Sequence, residues 1–182
     1  MRISCVLILN FIITLSLVSC VGRVQNSKNE FDVDSVSRNT KLYNKNSHKF
    51  IESQKFPINS SKTNYYSLMK YKDKKGTEIY KIIYTYTGIW TQSVNVNNNP
   101  AQKDLIFQDS IDGRLLEIMT IEIEESIIRS LNDINISVIG RGSGSIETIH
   151  GFAKYDINEF SFNVPGAILC GFLQKADLLP LE

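Results

Sequence analysis

The sequence predicts an α+β fold, mainly an antiparallel β-sheet of about six or seven strands with one helix packed on it, preceded by a disordered tether. Three observations carry this prediction. Residues 63–182 consist largely of short segments rich in β-branched and aromatic residues, bounded by Gly, Pro and Asn. Residues 113–131 carry apolar side chains spaced three or four apart. Residues 21–62 are rich in Ser, Asn and Lys, and their apolar residues follow neither the helical nor the strand period, which is typical of a disordered segment.

The clearest strands are Tyr65–Lys72 and Glu78–Thr87, joined by a turn in which Gly76 can take a positive φ. In the second strand, Tyr80, Ile82, Tyr84 and Tyr86 fall on one face. Further strands are expected at Ile89–Val96 and at residues 134–139, 145–155, 160–164 and 167–173, with turns at residues 97–100 and 165–166. Residues 63–182 are a normal size for a single domain.

Residues 113–131 fit two patterns. Apolar residues at helical spacing, with acids between them, predict an amphipathic helix. The middle of the segment, from Met119 to Glu124, also alternates as a strand does. We favour the helix because residues 117–125 include good helix formers and Asp112 could cap its start.

The chain begins with the layout of a signal peptide. Arg2 is followed by an apolar run over residues 6–18, and a polar region begins at Val21. A membrane-spanning helix needs roughly 17 to 25 apolar residues, so this run is too short. We expect residues 1–19 to be removed.

The four residues Leu17, Val18, Ser19 and Cys20 resemble the lipobox of bacterial lipoproteins. The resemblance implies cleavage before Cys20, a diacylglycerol on its thiol and usually a further acyl group, such as palmitate, on the new amino terminus. Two or more chains would anchor the protein stably, because each buried methylene contributes about 0.8 kcal/mol. An ordinary signal peptide with an incidental cysteine is the alternative.

This reading leaves Cys170 without a partner. Cys5 would leave with the signal peptide and the lipid would block Cys20, so we expect no intrachain disulfide. No basic residue lies beside Cys170 in the sequence to lower its pKa. A buried, inert thiol is therefore the favoured role over a reactive or intermolecular one.

Charge excludes one class of partner. Without Arg2, the mature chain has 19 basic and 19 acidic residues, so no nucleic-acid partner is indicated. Residues 21–62 carry a net charge of +4 and residues 63–182 a net charge of −4. As a flexible tether, about 40 residues would separate their ends by roughly 35 Å. In the alternative, this arm docks on the domain through its few apolar residues, which are Phe50, Ile51, Phe56 and Ile58.

No motif fixes a reaction, a cofactor or a metal. Residues 138–145 are glycine-rich, but they lack phosphate-loop and dinucleotide-site spacing, so a hairpin connection is favoured over an anion site, in which Arg141 would be the contact. His48 and His150 have no Cys or His at zinc-ligand spacing. A small hydrolase using His150, with Ser143, Ser145 or Thr148 as nucleophile, matches no known motif. We expect no cofactor, no metal and no enzymatic activity.

Aromatic residues crowd the first hairpin and its neighbouring strand. Such a row is more often cross-strand packing than a ligand platform. If a recognition surface exists, we expect it at Tyr80, Tyr84, Tyr86 and Trp90, because aromatic residues are enriched at interfaces.

The lipobox, the long polar segment after it and the Ile, Asn and Lys bias of the whole chain resemble spirochaete outer-surface lipoproteins. The resemblance covers residues 1–62 and implies an outer-membrane location, often with host contact. We therefore expect a lipid-anchored, non-enzymatic surface protein that binds a protein partner. The alternative is a periplasm-facing accessory or structural lipoprotein of an envelope complex.

Overall fold

The computed structural model describes residues 31–45, 48–60, 63–111, 114–142 and 157–181. These residues form three helices and eleven strands. The helices are α1 (Val33–Asn39), α2 (Glu125–Arg129) and α3 (Gly166–Ala176). The strands are β1 (Lys41–Lys45), β2 (His48–Glu52), β3 (Phe56–Pro57), β4 (Tyr65–Lys72), β5 (Glu78–Thr87), β6 (Ile89–Val96), β7 (Asn99–Pro100), β8 (Lys103–Ile111), β9 (Arg114–Ile123), β10 (Ile134–Gly142) and β11 (Ile157–Val164).

The strands form two antiparallel sheets. The large sheet has the order β1-β2-β4-β5-β9-β8, with the short β3 also paired to β4. The small sheet has the order β11-β10-β6-β7. The predicted α+β, mainly antiparallel class is confirmed, but the strands are divided between two sheets where one was expected.

The core lies between the two sheets and the helices α1 and α3. We call the side of the large sheet that faces this core its inner face and the opposite side its outer face. From the large sheet the core receives Tyr66, Leu68, Tyr80, Ile82 and Tyr84, and from the small sheet Ile136, Val138 and Phe162. The rings of Tyr66 and Phe162 stack across the interface with centroids 5.2 Å apart.

The predicted hairpin turns are confirmed where glycine or asparagine supplies a positive φ. Gly76 has φ +83° in the turn between β4 and β5. Asn97 and Asn98 have φ 49° and 67° between β6 and β7, as a tight hairpin loop requires. Short-range turn chemistry therefore sets these registers.

The helix expected over residues 113–131 is wrong for most of its length. Arg114–Ile123 is strand β9, paired with β5 on one side and β8 on the other, and only Glu125–Arg129 is helical. Helix propensity is a weak preference, and pairing on both edges of a strand overrides it. The alternation from Met119 to Glu124 was the informative pattern, since Met119, Ile121 and Ile123 are buried.

The strand expected over residues 167–173 is also wrong, because this run belongs to helix α3. Nine of the eleven residues of α3 are buried, so its sequence shows a continuous apolar run that periodicity cannot assign. Gly171 permits close contact with α1. A Cβ at that position would lie 2.5 Å from the carbonyl oxygen of Val33.

The tether prediction is wrong for residues 31–60, and the domain begins well before residue 63. Helix α1 and strands β1 to β3 occupy most of this range, and the alternative of a docked arm is the correct one. Ile51 and Phe56 are almost completely buried. Two apolar anchors of this kind, together with strand pairing to β4, compensate for a polar composition.

Candidate functional site

The tyrosine row predicted as a recognition surface is mainly core. Tyr80 and Tyr84 are 1% and 0% exposed on the inner face of the large sheet. Tyr86 is half-buried and stacks on Phe160 with ring centroids 3.7 Å apart. Burial raises the pKa of the Tyr84 hydroxyl well above its usual value, although a hydrogen bond with Thr91 opposes this. Cross-strand and intersheet packing is therefore the role of these tyrosines.

Trp90 is the exposed member of the predicted set, and it lies beside the other predicted contact residue. Arg141 on β10 is directly opposite Trp90 on β6 and directly opposite Ile157 on β11. Trp90 is 38% exposed and Ile157 is 74% exposed. The structure therefore aligns an aromatic, a basic and an aliphatic side chain across one end of the small sheet.

A groove of about 910 Å³ crosses the outer face of the large sheet. Its lining comes from β2, β4, β5, β8 and β9, the turn between β4 and β5, and the carboxyl-terminal segment. The apolar lining residues are Phe50, Met69, Tyr71, Ile106 and Leu181. Sequence analysis did not identify this site, because its residues come from five strands that only the sheet topology brings together.

The charged residues that line the groove are mainly basic. They are Lys49, Lys72, Lys74 and Lys81, with His48 beside them, against two acids, Asp73 and Asp104. Both acids have partners within the protein. Asp104 accepts a hydrogen bond from Lys81 at 2.9 Å, and Asp73 accepts from the backbone N–H groups of Lys75 and Thr77 at 2.8 and 2.9 Å. The positive charge of this lining therefore exceeds the negative charge available to a ligand.

Lys81 is held in place by its neighbours. Burial lowers its pKa, but the hydrogen bond to Asp104 and the proximity of Tyr71 outweigh burial, so the pKa lies above its usual value. Its ammonium group lies 5.9 Å from the centroid of the Tyr71 ring. At this point the groove is lined by a neutral ion pair beside an aromatic ring.

A second polar cluster lies on the inner side of the large sheet. Lys70 is 3% exposed, and its ammonium forms ion pairs with Glu78 and Asp177, both at 2.9 Å. Arg129 also pairs with Asp177 at 2.9 Å and donates to the Tyr80 hydroxyl at 3.0 Å. This polar network joins β4, β5 and α2 to the end of α3. Its groups are mutually satisfied, which is the pattern of a structural cluster.

Glu117 is a buried carboxylate between the two sheets. It is 2% exposed and accepts a hydrogen bond from the backbone N–H of Thr91 at 2.8 Å. Burial raises its pKa above the ordinary value, and the hydrogen bond from Thr91 partly opposes this. The Thr91 hydroxyl also bonds to the Tyr84 hydroxyl at 2.7 Å. Thr91 thus links the small sheet to two side chains of the large sheet.

Several predicted positions lie outside the described residues. These are Cys20 and the rest of the lipobox, Ser143, Ser145, Thr148 and His150. Among the residues that the structure does describe, no group of three or more His, Cys, Asp or Glu side chains could hold a metal ion. A search of the same residues finds no helix that is long and apolar enough to cross a membrane.

Cys170 departs from the expectation of a free thiol. It is completely buried in α3, as predicted, but it forms a disulfide bond. The other two cysteines of the chain, Cys5 and Cys20, lie outside the described residues. The predicted burial of Cys170 is therefore confirmed, and the prediction that it forms no disulfide is wrong.

Comparison with known proteins finds no matching family model, no matching curated protein and no matching solved structure.

Proposed function

We propose that this chain is a lipid-anchored lipoprotein of the bacterial outer membrane that binds a protein partner at the cell surface without catalysing a reaction. The observation that carries the proposal is the lipobox, in which Leu17 and Ser19 stand at the required positions before Cys20. The periplasmic face of the same membrane, as part of an envelope complex, is the second candidate location.

The early start of the folded domain shortens the distance to the membrane. Eleven peptide steps separate Cys20 from Phe31, the first described residue. A fully extended chain covers at most about 3.6 Å per residue, so Phe31 would lie within roughly 40 Å of the lipid. The lipid would therefore hold the start of the folded domain near the membrane.

A binding role is supported by the two exposed surfaces described above. The groove is lined by apolar and basic residues, and the end of the small sheet presents Trp90, Arg141 and Ile157. Tryptophan and arginine are enriched among the residues that dominate interface energies. Neither surface needs a reaction to explain its composition.

Metabolic labelling with palmitate tests the anchor. We expect label on the wild-type chain and complete loss of label in Cys20→Ser, because the thiol is the acceptor. Cys5→Ser and Cys170→Ser are the matched controls, and both should keep the label. Label that persists in Cys20→Ser, or its absence from the wild type, contradicts the anchor.

The same samples test the cleavage before Cys20. Mass spectrometry should show mature protein that begins at a modified Cys20. A chain that still carries residues 1–19, or that begins at an unmodified Cys20, would instead support an unlipidated protein.

Protease treatment of intact cells tests the location. We expect the domain to be digested in intact cells, with a periplasmic marker protein protected in the same sample. Protection of the domain until the outer membrane is broken would favour the periplasm-facing alternative.

A further inference from the structure

We propose that the groove on the outer face of the large sheet is a docking site for a protein segment that carries apolar and acidic side chains. This inference deepens the proposed function, because it rests on the binding role and names the chemistry of the partner. It does not depend on the lipid anchor.

The apolar part of the surface is larger than the groove itself. At one edge of the sheet Tyr43 on β1 stacks on Phe50 on β2, with ring centroids 5.3 Å apart. At the other edge, on β8, Ile106 is 56% exposed and Phe107 is 42% exposed. Five strand spacings of about 4.8 Å separate β1 from β8, so apolar side chains occur at both edges of a sheet face roughly 24 Å wide, which also carries the Lys81–Asp104 ion pair. Exposed apolar side chains grouped on one face are typical of interaction sites.

The composition of this surface matches a protein interface. Phenylalanine, tyrosine and methionine are enriched at such interfaces, and Phe50, Tyr71 and Met69 line the groove. The surface is continuous with β8, which pairs only with β9 among the described residues. An exposed edge strand of this kind is a common site for binding an extended segment.

Charge indicates which segment fits. Lys72 ends β4 and Lys74 lies in the turn between β4 and β5, and neither forms an ion pair with any residue that the structure describes. The two acids of the groove are already bonded to the protein, Asp104 to Lys81 and Asp73 to backbone N–H groups. A partner with carboxylates is complementary to the remaining cations, and complementary charge favours correct encounter.

A membrane surface fits this site less well than a protein segment does. Binding of anionic lipid depends on clustered basic residues alone. Beside Lys72 and Lys74 the groove is also lined by Met69 and Tyr71, which are half-buried, so an inserted side chain of a protein segment could contact them.

Selection from a random 12-residue peptide library on the purified full chain tests the inference. We expect the selected peptides to combine Asp or Glu with Phe, Leu or Trp. We then measure the Kd of a synthetic copy of the most enriched peptide. Its Kd for the wild type should be at least tenfold lower than its Kd for the double variant Lys72→Glu/Lys74→Glu. Lys75→Glu is the matched control, because Lys75 lies in the same turn but does not line the groove. It should change the Kd less than twofold.

A second pair of variants tests the apolar surface. Ile106→Asp should raise the Kd of the same peptide at least tenfold. Ile157→Asp, which places the same change at an exposed position on the small sheet, should leave its affinity unchanged. Circular dichroism of each variant distinguishes lost binding from lost folding, and the two lysine variants keep the test valid if Ile106→Asp does not fold.

Three results overturn the inference. The first is selected peptides without enrichment in acids, or affinity that is equal for the wild type and for Lys72→Glu/Lys74→Glu. The second is that the wild type binds phosphatidylglycerol vesicles but not phosphatidylcholine vesicles, and that the same double variant loses this binding. The third is self-association in analytical ultracentrifugation that this variant abolishes. If peptide binding succeeds and palmitate labelling fails, only the proposed anchor is wrong, and the reverse result rejects only this groove.

Discussion

The two faces of the large sheet are built from the same strands and similar residue types, yet they are in different environments. Along β5, Tyr80, Ile82 and Tyr84 are buried completely, whereas their neighbours Ile79 and Ile83 are only partly buried. Both sets include isoleucine. The difference lies in what covers each face, since the inner face meets the small sheet and two helices. Apolar composition alone therefore does not distinguish a core from a binding surface.

Polar groups follow the same division. On the inner side the hydroxyl of Tyr84 is hydrogen-bonded to Thr91, and the ammonium of Lys70 forms an ion pair with Asp177. At the turn between β4 and β5, by contrast, Lys72 and Lys74 are exposed, and neither forms an ion pair with any described residue. A buried polar group without a hydrogen bond costs free energy, whereas an exposed one is satisfied by water. Variants on the two faces should therefore have very different effects on stability.

The largest expected contrast is between Ile82 and Ile79. Ile82→Ala on the inner face should lower the free energy of unfolding by about 2 to 5 kcal/mol, because it leaves a cavity in the core. Ile79→Ala, three positions away on the outer face, should cost about 1 kcal/mol or less, since its site is partly solvated. Urea denaturation of the two variants measures both values. Equal losses would show that the outer face is also core.

The next contrast is between two lysines. Lys70→Met should lower the unfolding free energy by about 2 kcal/mol, because it leaves Asp177 with only Arg129 as its partner. Lys81→Met, which breaks an ion pair on the outer face, should cost about 1 kcal/mol or less. Chemical denaturation at neutral pH measures both losses. Comparable losses for the two variants would contradict a special role for the polar network.

The polar network also predicts a dependence on pH. Burial raises the pKa of Asp177, but hydrogen bonds from Arg129 and Lys70 outweigh burial and hold it below its usual value of 3.8. The ionised form is therefore favoured in the folded state. This contribution to stability is present above about pH 4 and is lost as the pH falls through the lowered pKa. Denaturation between pH 6 and pH 2 should show a smaller acid-induced loss in Asp177→Asn than in the wild type.

A smaller effect is expected from one hydroxyl. Tyr84→Phe removes the hydrogen bond to Thr91 between the sheets and should cost about 1 kcal/mol. Tyr43→Phe on the outer face is the control, and its cost should be close to zero because its hydroxyl is in a solvent-exposed side chain. The measurement is the urea midpoint at constant m-value. A neutral Tyr84→Phe would mean that this bond does not join the sheets in solution.

The smallest expected effect is an increase in the free energy of unfolding, whereas the preceding substitutions should lower it. Burial raises the pKa of Glu117, so the folded state favours its neutral form. At pH 7 the buried charge opposes folding, and this cost disappears as the pH falls through the raised pKa towards 4.5. Glu117→Gln should therefore stabilise the protein at pH 7, by about 1 kcal/mol or less, with a gain that vanishes near pH 4. Glu122→Gln, at an exposed site on β9, is the control and should change the stability at pH 7 little. A destabilised Glu117→Gln at pH 7 contradicts this assignment.

Sequence patterns located the hairpins but not the helices. Tyr65–Lys72, Glu78–Thr87 and Ile89–Val96 were predicted with their observed bounds, because alternation and turn residues are local properties. Strand β9 and helix α3 were each assigned to the wrong class. In β9 pairing on both edges overrode helix propensity, and in α3 burial on nearly all sides removed the periodic signal.

The candidate site shows the same limit. Tyr80 and Tyr84 were named from their aromatic character, although alternation shows only which residues share a face and not which face is covered. Trp90 and Arg141 were named separately, and the pairing of β6 with β10 brings them together. No sequence pattern predicted a site at the lysines of the groove, because Lys72 and Lys74 lie at a turn and lysines are common in exposed turns.

Local sequence alone predicts strands β4, β5 and β6 and the positive-φ turns that follow β4 and β6, because each depends on residues within a few positions of one another. The lipobox resemblance at Cys20 is equally local and stays a prediction. Tertiary structure decides the division into two sheets, the docking of residues 33–57 and the choice of which sheet face is covered. These depend on contacts between distant segments, such as Tyr66 with Phe162 and Lys70 with Asp177. The groove also depends on such contacts, since five strands must pair before its apolar and basic lining residues form one surface.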